Sequence, residues 1–135
     1  MKDGFGRAAG GRGIAIVLGA TVALALSLSP AMGHKTKYDT NLQLRIDVLT
    51  ETTDQFSGKV TSEKGKCRRN RNITVTSGGV AIAFATTDGA GNWTAIGPRP
   101  PKLQDVTAST PRKFLKRNKK HKHKCKPDSR TRKAP

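Results

Sequence analysis

The chain is poor in acids. Nine aspartates and glutamates face 26 lysines and arginines, a formal charge of +17 over 135 residues. So one-sided a balance favours solubility and anionic partners, and it carries no information about fold. Aromatics are scarce too, with four Phe, one Tyr and one Trp. Single-strand nucleic-acid binders stack bases on aromatic platforms. Here only Phe114 accompanies the basic C-terminal run, so no specific nucleic-acid partner is expected. The chain has two cysteines, Cys67 and Cys125, and three histidines, His34, His121 and His123. Their number and spacing do not fit a structural zinc site. No G-x-S-x-G, H-E-x-x-H or phosphate-loop pattern occurs, and the few acids are scattered. Without convergent acid, base and nucleophile, no enzyme activity is expected, and no cofactor.

One long apolar run is present, and it has the form of a processing signal. Lys2, Arg7 and Arg12 form a basic flank, Ile14 to Leu28 is apolar, and Pro30 precedes the small-residue stretch Ala31-Met32-Gly33. That order is the signature of a secretory signal peptide over residues 1–33. The junction is placed at Gly33/His34, with Ala31/Met32 as the alternative site. The run is short for a membrane span and no second one follows, so the mature form is expected to be secreted and without a span. Cleavage would remove Lys2, Arg7, Arg12 and Asp3, leaving +15 of the +17. In an oxidising compartment the two cysteines suggest one disulfide, Cys67–Cys125.

Hydrophobic alternation continues through the rest of the chain, and period two means half-buried strands. Residues 34–40 are polar and read as a flexible segment. Leu42, Leu44, Ile46 and Val48 then alternate with polar residues. Phe56, Gly58 and Val60 share a face, as do Ile73 and Val75, and again Val80, Ile82 and Phe84. "WTAI" begins another strand, and Leu103 and Val106 anchor the last one. Short strands with turns between them, and no helical period outside the signal, predict an all-β fold. A length near one hundred residues favours a small β-sandwich over 41–126. Residues 127–135 read as a disordered basic tail, since like charges repel and stay solvated.

The turn Asp88-Gly89-Ala90-Gly91-Asn92 precedes the only tryptophan. In a hairpin, Gly89 or Gly91 would supply the positive φ, and Trp93 would fasten the return strand to the core. Thr87-Asp88-x-x-Gly91-x-Trp93 resembles the T-D-x-x-G-x-aromatic hairpin of carboxypeptidase regulatory-like domains, which are prealbumin-like (transthyretin-like) β-sandwiches. "QFSGKVTSEKGKCRRNRNITV" is similar to the opening of small secreted bacterial domains of that superfamily, and Cys125 stands where they carry the partner cysteine. The last strand departs from their Gly-x-Tyr-x-Ala pattern, having Leu103-Gln104-Asp105-Val106-Thr107-Ala108 instead. The resemblance implies a non-catalytic accessory or binding module with no shared active site. It also implies a bacterial host, where the sequons at Asn72 and Asn92 would be chance.

Two features remain. "KKHKHKCK" puts His121, His123 and Cys125 on one side of an extended chain, but the lysines around them repel a cation and an oxidised Cys125 cannot ligate one, so no metal is expected. The other feature is charge. Lys66, Arg68, Arg69 and Arg71 flank Cys67; Lys116, Arg117, Lys119, Lys120, Lys122 and Lys124 precede Cys125. A disulfide would merge these clusters into one basic patch suited to anionic polymers of the cell envelope. The alternative is a polyanion- or nucleic-acid-binding effector that acts through its C-terminal tail.

Overall fold

The computed structural model describes residues 33–118 and 120–135. The expected signal segment and its helix, apart from Gly33, lie outside the described residues. The described chain is all-β, with a single 3-10 turn at Gly65–Cys67. Its strands are β1 (His34–Tyr38), β2 (Asn41–Leu42), β3 (Arg45–Val48), β4 (Thr53–Thr61), β5 (Asn72–Ser77) and β6 (Val80–Thr86). They continue with β7 (Asn92–Pro98), β8 (Asp105–Thr110), β9 (Lys113–Arg117), β10 (His121–Cys125) and β11 (Asp128–Lys133). Among the described residues no helix is long and apolar enough to cross a membrane.

Three sheets form, and two of them enclose the core in a sandwich-like arrangement. In the first, β4 is central, with β2 and β3 along one edge and β7 along the other. The second has the order β11-β8-β5-β6. Period-two burial supplies the interior. Leu42, Leu44, Phe56, Val60, Trp93 and Ala95 come from the first sheet; Ile73, Val75, Ala83, Val106 and Ala108 come from the second. At the β6/β7 edge the sheets nearly touch. A Cβ on Gly97 would collide with the carbonyl of Ile82 and sit 3.1 Å from the Cβ of Ala83. At the opposite edge β11 meets β2, where Leu42 N donates to Asp128 Oδ2 (2.6 Å), and a cavity lies between β11 and the β2–β3 edge.

The third sheet is small and basic. It has the order β1-β10-β9, with β1 parallel to β10. The Cys67–Cys125 disulfide fastens the end of β10 to the 3-10 turn.

Several sequence expectations are corrected. The first strand is interrupted at Gln43-Leu44, although β2 and β3 keep one register against β4, and Val48 is exposed. In β6 the inward side chain is Ala83, while Val80 and Phe84 face solvent, Phe84 with 71% of its surface exposed. The cause is cross-strand pairing. Buried Ile73 and Val75 pair with Ala85 and Ala83, and a register shift follows between Val75 and Thr76. The close approach of β7 also leaves room only for small side chains. Leu103 lies in a turn at φ 63° and is exposed, whereas Val106 is fully buried.

The polar ends differ from expectation as well. Residues 34–38, read as flexible, form β1. Residues 128–133, read as a free tail, form β11 along β8. A charged strand can pair at a sheet edge because its backbone makes the ladder while its side chains stay in water. Ala134 secures it: it is buried, its N–H donates to Gln104 O (2.9 Å) and its carbonyl accepts from Leu103 N (3.1 Å).

Candidate anion-binding surface

The Asp88 turn bears on the basic connector. It is not a hairpin, because β6 and β7 belong to different sheets and the turn carries the chain between them. Gly91 has φ 91° and Gly89 has no positive φ; a Cβ on Gly91 would strike the carbonyl of Val60. Asp88 Oδ1 accepts from Ala90 N and Asn92 N, each at 2.9 Å. These bonds, led by the Asn92 N–H, hold its carboxyl below the usual range. Thr87 Oγ1 donates to Arg68 O (2.6 Å) and accepts from Arg71 N (2.8 Å), so the turn grips the connector that leads away from Cys67. Trp93 is 3% exposed and anchors β7 in the core.

Arg71 does not belong to a binding surface. It is 1% exposed. Its guanidinium donates to Cys67 O (2.9 Å), Pro111 O (2.7 Å), Lys126 O (3.2 Å) and Thr40 Oγ1 (3.3 Å). A planar fork of donors suits four acceptors converging from separate segments. Arg71 therefore ties the segments around the disulfide together, and burial lowers its pKa. Arg68 is half-buried, with a covered Nε that has no acceptor among the described residues. Lys66, Arg69 and Lys120 are exposed. Lys119 lies outside the described residues, as do the side chains of Lys116 and Arg117.

Lys122 and Lys124 come together with two residues that sequence reasoning missed. In the parallel register Lys35 sits beside Lys122 and Lys37 beside Lys124. Phe114 pairs with Lys124 from β9. These five residues line one shallow depression of about 270 Å³. The Lys124 ammonium is held below the usual lysine range, first by partial desolvation and then by Arg112, Lys37, Lys35 and Lys122. The signal for this face was present in the sequence: "HKTKY" and "HKHKC" share the pattern H-K-x-K, with lysines two apart.

The other side of the small sheet is aromatic. Tyr38 and His123 stack with ring centroids 6.3 Å apart, and His123 and His121 with centroids 6.1 Å apart. Lys64 Nζ lies 5.8 Å from the Tyr38 ring centre. His121 and His123 therefore do share a side with Cys125, but Cys125 is spent in the disulfide. Lys113 leaves the lysine face entirely. Its Nζ donates to Arg69 O (2.8 Å) and Asn70 O (3.3 Å), and desolvation, then Arg71 and Arg69, lower its pKa.

The arrangement can hold a row of negative charges. Four ammonium groups in two parallel rows repel one another, and an anionic chain laid between them removes that repulsion. No protein-family model, curated protein or solved structure matches the chain.

Proposed function

We propose that this protein is a secreted, non-catalytic binding module that contacts anionic polymers of the cell envelope through the lysine face of its small sheet. One observation carries the reading: Lys35, Lys37, Lys122 and Lys124 share one side of β1 and β10 around the exposed ring of Phe114. Point charges in register suit a polymer with regularly spaced phosphates, sulfates or carboxylates. Strand β9 and the disulfide hold this face in place, which supports a folded surface over a free basic arm. We take the body to be a β-sandwich of the carboxypeptidase regulatory-like, prealbumin-like type. The inward Trp93 after the Asp88 turn and the paired Cys67 and Cys125 support that assignment.

The test is retention on immobilised heparin at low salt, with elution by added NaCl. The four-lysine variant K35Q/K37Q/K122Q/K124Q should elute at distinctly lower salt. Passage of the unmodified protein straight through at low salt would reduce the basic face to a solubility device.

A further inference from the structure

A second basic site lies between β11 and the β2–β3 edge, and it shares no lining residue with the lysine face. Arg130 and Arg132 are two residues apart on β11, paired with Ala108 and Val106 of β8. Those partners are buried core residues, so both arginines stand on the inward side of an edge strand, where a core side chain would be usual. Among the described residues neither side chain has a hydrogen-bond or ion-pair partner. The nearby acids are already engaged. Asp128 Oδ2 accepts from Leu42 N (2.6 Å), and Asp47 pairs with Arg45 (2.9 Å).

Between β11 and the β2–β3 edge is a cavity of about 640 Å³. Arg130, Arg132 and Arg45 line it, with the amides and hydroxyls of Asn41, Asn92 and Ser57. Among the described residues no acid lines it. Trp93 and Gly58 form part of its wall, and the indole Nε1 is a covered donor with no acceptor among the described residues. A side chain at Gly58 would crowd that nitrogen and collide with the Gln43 carbonyl. The volume is far larger than an inorganic ion needs and is in the range of small-molecule sites. Guanidinium forks match carboxylates in a bidentate way, and amides and hydroxyls match ring hydroxyls.

We propose that this cavity binds an acidic saccharide of one or two rings, its carboxylate held by Arg130 and Arg132 and its hydroxyls by the amide and hydroxyl residues opposite. The site does not depend on the lysine face. The single tryptophan gives the cavity its own reporter, because the indole N–H is one resolved signal in an ¹⁵N-labelled protein. Titration with digalacturonate should shift that signal saturably. The neutral disaccharide maltose at equal concentration should leave it in place, and inorganic phosphate at equal ionic strength should bind at least about tenfold more weakly. R130Q/R132Q should lose about tenfold or more in digalacturonate affinity, and R45Q should lose affinity in a second background. K122Q/K124Q should bind digalacturonate as the unmodified protein does while eluting from heparin at lower salt. An unmoved indole signal, an equal response to maltose or phosphate, or equal loss in the lysine variant would overturn the proposal.

Discussion

Trp93 is the largest side chain in the core and enters it directly from the Asp88 turn. Trp93→Ala should cost about 3–5 kcal/mol through lost burial and the cavity left behind. Urea denaturation followed by far-UV circular dichroism measures this, since the substitution removes the only indole. A cost under 1 kcal/mol would show that the ring is not an anchor. Asp88 gives a pH prediction. Its folded pKa is depressed, first by the Asn92 N–H, so its stabilisation is present above the ordinary aspartate value and is lost as pH falls through the lower folded value. The Tm difference between the unmodified protein and Asp88→Asn should therefore shrink below about pH 4. A difference constant across pH 2–7 would contradict the role given to the carboxylate. Trp93 was legible in the sequence because alternation after a glycine turn fixes its side. Phe84 was not, because the choice between Ala83 and Phe84 as the inward residue depends on pairing with β5 and on the approach of Gly97.

At the level of elements, the core strands β4, β5 and β7 follow the period-two pattern closely. Strands β1, β10 and β11 do not, since their sequences carry charge rather than alternating apolar residues. They pair because backbone ladders, the Cys67–Cys125 disulfide and the buried Ala134 hold them. Composition records what a side chain prefers and is silent about where an edge strand finds a partner. The bond closes a loop of 58 residues, for which the chain-entropy model gives at most about 4 kcal/mol. The double variant Cys67→Ser/Cys125→Ser should lose stability of that order. Its amides in β10 should also exchange much faster than those in β4, because the core sheets do not contain β10. Uniform acceleration across both strands would show instead that the small sheet and the core open together.

Over the whole molecule, positive charge is spread widely, and lysines are set in register on the small sheet. The sequence foretold the disulfide and a basic neighbourhood around it. It misassigned Arg71, which is buried among carbonyls, and it missed Lys35 and Lys37, which depend on a parallel pairing between segments 87 residues apart. If binding resides in this face and not in net charge alone, its salt dependence must follow these lysines. Counterion release makes log affinity for duplex DNA fall with log salt by about 0.9 per phosphate neutralised, so the four lysines of this face give a slope of about −3.6. Duplex DNA serves here as a polyanion of known charge spacing. The decisive measurement compares two variants that each lose two charges, Lys122→Gln/Lys124→Gln and Lys59→Gln/Lys102→Gln, by titrating a labelled duplex across a range of NaCl concentrations. The first pair should flatten the slope by about 1.8, while the second should leave it nearly unchanged. Equal flattening by both pairs would contradict binding through this face.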